Sequence, residues 1–170
     1  MKLFGIILMI GAGSAMGFCK AYDLKCRTRD IIMLQNAFRL LETEIYYTRS
    51  PVPLALETVS CGMPDVMQEF FRQVYQTMEQ ECMPLYQAWG QAVHYLKMHS
   101  CLCEAELDAV RSFGNSLGAG DVQEQLKNFQ LLQQRLQYAL EQAECCHTQK
   151  ARIWQYTGIC FSIAAVVLMY

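Results

Sequence analysis

Two long, uncharged apolar runs, one at each end of the chain, constrain this sequence more than any other feature. From Leu3 to Phe18 no residue is charged and only Ser14 has a polar side chain, with Lys2 and Lys20 bracketing the run. From Ile153 to Tyr170 there is again no charge, with Gln155, Thr157 and Ser162 as the polar exceptions and Lys150 and Arg152 just ahead. As helices such runs reach about 24–27 Å, a little under a hydrocarbon core about 30 Å thick. Local thinning and snorkelling of the flanking lysines cover that difference. The expectation is an N-terminal transmembrane anchor over residues 1–19 and a C-terminal transmembrane segment over residues 153–170, both in membrane lipid. Residues 20–150 then form one domain between them. A cleavable signal peptide is the rival reading of the first run, since Gly13, Ser14 and Ala15 supply the small residues such a site needs.

Basic residues set the orientation. Lys20, Lys25, Arg27 and Arg29 follow the first run, against Lys2 alone before it; Lys150 and Arg152 precede the second, and nothing basic follows. Both ends therefore place the middle of the chain in the cytoplasm. The nine cysteines fit a reducing compartment, being odd in number and scattered along the chain. A secreted disulfide framework shows an even set in a small, loop-rich domain. The 53% of hydrophobic residues is high for a soluble domain of 170 residues, and the terminal runs account for part of it. With a net charge of −2 there is no basic excess of the kind nucleic-acid binders carry, and no nucleic-acid partner is expected.

The middle is helical. No sustained period-2 alternation occurs, and no Asn-Gly or Asp-Gly hairpin turn. Ile31, Leu34, Phe38, Leu41 and Ile45 follow a 3-4-3-4 spacing that draws one apolar stripe on a helix. Ser50-Pro51-Val52-Pro53 breaks that helix, because Pro51 has no amide to donate and pushes Ser50 out of the α region. A short helix is predicted from about Pro53 to Ser60, and Pro64 opens the next at its first turn, with Val66, Met67, Phe70, Val74 and Met78 on one face and Phe71 and Tyr75 beside them. Pro84 marks a restart before Leu85, Trp89, Ala92, Val93 and Leu96. A further helix is predicted from about Cys103 to Leu117, closed by Gly118-Ala119-Gly120. Asp121 and Glu124 have the spacing of a capping box for a long last helix, along which Val122, Leu126, Phe129, Gln133, Leu136, Leu140, Ala143 and His147 keep heptad spacing. The fold class is thus all-α: an antiparallel bundle of about six helices, its long first and last helices adjacent and rooted in the membrane.

Candidate chemistry is sparse. His99, Cys101 and Cys103 cluster at one helix start, and Cys145, Cys146 and His147 on another helix. Cys-x-Cys on a helix separates its thiols by about 200°, however, and neither group has the usual C-x₂-C spacing of zinc sites. Packing cysteines are the simpler reading, and no metal, cofactor or catalytic residue is assigned. Glu42, Glu44, Glu104, Glu106 and Asp108 read as a solvated face, or as a polar contact surface; residues two apart on a helix diverge, so Glu42 and Glu44 are not an acid–base pair. Gly13-x-x-x-Gly17 in an apolar helix permits close approach of another helix in the membrane.

Several short motifs resemble one known family. They are Met1-Lys2-Leu3 with an anchor ending Gly17-Phe18; Leu40-Leu41-Glu42-Thr43-Glu44-Ile45; Ser50-Pro51-Val52-Pro53-Leu54-Ala55-Leu56; Ala88-Trp89; and Phe113-Gly114-Asn115-Ser116-Leu117-Gly118-Ala119-Gly120-Asp121 followed by Gln125. The third is similar to T-P-L-P-x-A-L and the last to L-G-x-x-L-G-x-x-D-x-x-x-Q, with Ser50, Val52 and Phe113 as the departures. Their order and spacing resemble the stage III sporulation protein AB family of endospore-forming bacteria. That resemblance implies a fold similar to the cytoplasmic helical domain of the inner-membrane platform protein of type II secretion and type IV pilus machines. It also implies a non-enzymatic part of the channel complex between mother cell and forespore. The bundle would lie at the outer forespore membrane and face the mother-cell cytoplasm. The implied partners are the complex's secretion-type ATPase and its other membrane proteins. The matched turns at Ser50, Pro51, Pro53 and Asp121, with Glu42 and Glu44, are the candidate partner-binding residues. A membrane-associated regulator that binds metal or senses redox state through its Cys/His clusters is the alternative.

Overall fold

Ile31, Leu34, Phe38 and Leu41, the stripe drawn by the sequence, are wholly buried, and Ile45 packs on the same core from its edge. A computed structural model describes residues 25–117 and 123–145. Among them lie six helices and no strand: α1 over residues 25–46, α2 Val52–Gly62, α3 Asp65–Gln80, α4 Leu85–His99, α5 Glu104–Ser116 and α6 over residues 123–145. No helix among the described residues is long and apolar enough to cross a membrane. The two expected membrane segments, residues 1–19 and 153–170, lie outside the described residues, as do Gly13, Gly17 and Asp121.

Three prolines open three helices. Pro51, Pro64 and Pro84 sit at the N-caps of α2, α3 and α4 with extended backbone, ψ 145°, 153° and 145°. None can donate an amide, but each carbonyl accepts the first bond of its helix, from Ala55 at 3.0 Å, Gln68 at 3.4 Å and Ala88 at 3.2 Å. Pro64 was expected inside the first turn of its helix and stands one position earlier. α2 begins one residue before the predicted Pro53, which is tolerated at its second position because the amide there is unpaired in any helix, and it runs two residues past Ser60 to Gly62.

α1 is the hub. Phe38 packs against Phe71 of α3, Trp89 of α4 and Phe113 of α5, with ring centroids 6.0, 6.1 and 5.1 Å away. Phe113 in turn meets Phe129 of α6 at 4.7 Å. Buried large side chains of this kind contribute about 1.5–3 kcal/mol each relative to exposure, so this aromatic seam is a principal source of cohesion. The antiparallel order is visible along the α1–α6 contact. Gln35 donates to Gln137 (3.3 Å), while Lys25, earlier on α1, and Glu144, later on α6, line one groove. The first and last described helices are therefore neighbours, and the described chain begins and ends on the same side of the bundle.

The heptad on α6 is only partly apolar burial. Phe129, Leu136 and Ala143 are buried together with Leu132, which the pattern did not include. Gln133 keeps its place in the seam by donating to the Gln35 carbonyl at 3.1 Å.

Candidate functional site

Five of the six candidate partner-binding residues lie in or beside the turn after α1: Glu42 and Glu44 near the end of α1, Ser50 and Pro51 in the turn, and Pro53 at the second position of α2. Tyr47 and Thr48 both return their amides to the Thr43 carbonyl, at 2.9 and 3.2 Å, which closes the helix. Arg49 then takes a left-handed backbone, φ 55°. The next amide, Ser50, reaches back to the Glu44 carbonyl at 3.0 Å, and the Ser50 hydroxyl donates to Glu44 Oε2 at 3.2 Å. Glu44 and Ser50 are thus spent on the turn itself. Glu42 is half-buried, and that burial raises its carboxyl pKa, with Arg39 pulling the other way. Pro51 is exposed at the start of α2, and Leu54, one turn on, is 51% exposed; Tyr47, just before the turn, is 80% exposed. The exposed apolar side chains around this turn are Tyr47, Pro51 and Leu54, with half-buried Glu42 on the preceding helix. Of these, the sequence pattern had named Pro51 and Glu42. Tyr47 and Leu54 lie off the buried stripes of α1 and α2, which is the signal that could have found them.

At the opposite end, two buried acids stitch the loop between α4 and α5 onto α1. Glu106, expected on a solvated face, is 2% exposed. Its Oε1 accepts from Arg27 at 2.5 Å and its other oxygen from the Cys103 amide at 2.5 Å, so it both caps α5 and pairs with α1. Asp30, 9% exposed, accepts from the Cys101 amide at 2.8 Å and from the Cys26 thiol at 3.8 Å. A buried carboxylate is tolerable here because each receives charge-assisted or backbone hydrogen bonds. The sequence missed both. Glu106 stands third after its cap, the capping-box position, and Cys26 and Asp30 are four apart on one helix face. Glu104 and Asp108 are exposed as expected and pair locally, Glu104 with Lys97 and Asp108 with Arg111. The hydrogen bond from Lys97, followed by its charge, lowers the Glu104 pKa.

The cysteine and histidine groups separate. His99 stacks on Tyr95, with ring centroids 4.1 Å apart, Cys103 is exposed at the α5 cap, and Cys145 is exposed on α6. Cys101 instead joins Cys26 and Asp30, their ligand atoms all within 4.8 Å of one another. Cys146 and His147 lie outside the described residues.

The α4–α5 contact brings two of the sequence motifs together. Trp89, from Ala88-Trp89, lies in the core against Gly114, from Phe113-Gly114, and donates from Nε1 to the Val110 carbonyl at 2.9 Å. The family model described as stage III sporulation protein AB matches residues 2–170, nearly the whole chain. The chain belongs to the stage III sporulation protein AB family. The stage III sporulation protein AB of Bacillus subtilis (strain 168) is 22% identical over 169 residues, covering 99% of each chain. A solved structure of a stage III sporulation protein AB matches with a TM-score of 0.68 and 24% identity, over 72% of this chain and 97% of that one. At that identity the likeness establishes the fold, a helical bundle shared with a solved member of the stage III sporulation protein AB family.

Proposed function

We propose that this protein is a non-enzymatic platform of the sporulation channel complex, which holds a helical bundle at the cytoplasmic face of the outer forespore membrane and couples a secretion-type ATPase to the channel. Family membership supports the sporulation role. The observation that carries the platform reading is the up-and-down order of six helices, which returns residues near 25 and 144 to one groove. Two apolar terminal runs, each charge-free for sixteen residues or more, continue outward from that side of the sequence. A bundle tethered at both ends of its chain presents its far end to the cytoplasm. That far end carries the turn with Tyr47, Pro51 and Leu54, and it is where the ATPase would dock. Asp121, which lies outside the described residues, is assigned to the same proposed contact through its sequence motif alone, and Gly13 and Gly17 to the proposed contact with other membrane proteins of the complex.

Site-specific photocrosslinking in sporulating cells tests this reading. Crosslinkers at positions 47, 51 and 54 are expected to capture the ATPase, and one at position 72, on the exposed side of α3, is not. If no exposed position of the bundle yields that product while the complex is intact, the coupling role is wrong. Reporter fusions at Arg49 and Ala119 test the orientation, with cytoplasmic activity expected at both.

A further inference from the structure

We propose that Cys26, Asp30 and Cys101 form a zinc site that clamps the start of α1 to the loop between α4 and α5. The ligand atoms of the three lie within 4.8 Å of one another, and the Cys26 sulfur is 3.8 Å from Asp30 Oδ2. Around a tetrahedral zinc with bonds of about 2.3 Å to sulfur and about 2.1 Å to oxygen, neighbouring donors sit about 3.5–3.8 Å apart. The Cys26–Asp30 pair is therefore already at its liganded separation, and the whole cluster lies within about 1 Å of liganded dimensions. Two thiolates and one carboxylate are a soft, anionic set that suits zinc and not magnesium or calcium.

The surroundings support a preformed site. Asp30 is 9% exposed, and its carboxylate is oriented by the Cys101 amide at 2.8 Å, which leaves lone pairs of both oxygens for a metal. Cys26 and Cys101 are half-buried, so the cluster is partly open to solvent, which would supply the ion and a water as fourth ligand. Residues 26 and 30 are held by a continuous helix, and residue 101 by the neighbouring attachment of Arg27 to Glu106. Binding releases the two thiol protons to solvent, and the pair of thiolates with the carboxylate more than balances the dication. Affinity accordingly falls as pH drops. The other arrangement open to two nearby thiols, a disulfide, requires an oxidant that nothing here supplies.

The test uses the full chain, purified in detergent under reducing conditions. Elemental analysis is expected to find about one zinc per chain, and cobalt added to the stripped protein is expected to give a thiolate charge-transfer band. Cys26→Ser and Cys101→Ser are expected to lose at least about tenfold in affinity, and Cys61→Ser and Cys82→Ser to lose none. In the unmutated protein, zinc is expected to protect Cys26 and Cys101 from alkylation and a chelator to expose them, a readout that does not depend on how the variants fold. The proposal is overturned if the unmutated protein takes up neither metal. It is equally overturned if zinc protects other cysteines instead, or if peptide mapping finds Cys26 joined to Cys101 in a disulfide.

Discussion

Trp89 fills the space that a side chain on Gly114 would need. A β-carbon placed on Gly114 would stand 2.1 Å from Trp89 Cδ1, 2.3 Å from Cγ and 2.4 Å from Nε1. The indole cannot step aside, because it is 1% exposed, bonded to the Val110 carbonyl and boxed by Phe38, Phe70, Phe71 and Phe113. Gly114→Ala is therefore expected to destabilise the bundle, by about 2 kcal/mol where the cost is at the top of the overpacking range. Core overpacking costs up to about 3 kcal/mol and the better helix propensity of alanine returns at most about 1. Urea unfolding measures this, and Trp89→Phe in the alanine background is expected to recover part of the loss. An additive double mutant would show that the two residues do not interlock.

This contact marks where the sequence was legible and where it was not. Apolar stripes at helical spacing identified the buried faces of α1, α3 and α4 almost residue by residue, because burial of those faces is what makes the helices form. Proline positions identified the turns for the same local reason. Trp89 and Gly114 were visible as separate motifs, but that one exists to accommodate the other depends on how α4 crosses α5. Glu106 was misplaced on the surface for a similar reason. A glutamate beside leucine reads as solvated until Arg27, 79 positions away, is seen to neutralise it. The Cys26–Asp30–Cys101 cluster likewise needs α1 to meet a loop more than seventy residues distant. Patterning within one helix was readable, and partnerships between distant segments were not.

The turn that presents Tyr47 and Leu54 stores backbone strain. Arg49 has φ 55°, where an L-residue costs about 1–2 kcal/mol relative to the right-handed region. Glycine has no such penalty, but it gives back about 0.5–1 kcal/mol through its freer unfolded chain. Arg49→Gly is thus expected to stabilise by up to about 1 kcal/mol. Arg49→Val, branched at the β-carbon, is expected to destabilise. Denaturation midpoints of the two variants, moving in opposite directions, check this; a loss of stability in the glycine variant would contradict it.

Two carboxylates with opposite shifts give opposite pH signatures. Burial raises the Glu42 pKa above its unfolded value, so the stability it contributes is fully present in acid and is lost as pH rises through the raised value. The hydrogen bond from Lys97 lowers that of Glu104, so its contribution is present at neutral pH and is lost as pH falls through the lowered value. Glu42→Gln is expected to gain stability against the parent at about pH 7 and to lose that advantage toward about pH 3. Glu104→Gln is expected to lose at neutral pH, and that deficit closes in acid. Thermal melts of the three proteins across this range distinguish the two signs. Both effects are small, since Glu104 is exposed and Glu42 only half-buried.

The Arg27–Glu106 pair carries the largest expected electrostatic effect. The Glu106 side chain is 1% exposed and that of Arg27 is 20% exposed, so removing the arginine leaves a carboxylate in the interior with the Cys103 amide as its remaining hydrogen-bond donor of the two. Arg27→Met is expected to cost about 3–5 kcal/mol, the loss typical of breaking a buried pair from one side. Glu106→Gln keeps an oxygen for Cys103 and is expected to cost less than Arg27→Met. The double variant Arg27→Met/Glu106→Gln is expected to be more stable than Arg27→Met alone, because it removes the charge that the methionine abandoned. Because the same loop carries Cys101, the single methionine variant is also expected to quicken hydrogen exchange at the Cys101 and Cys103 amides before the rest of the bundle loosens. Equal stability of the single and double methionine variants, with those two amides unchanged, would mean that the pair does not hold the loop to α1.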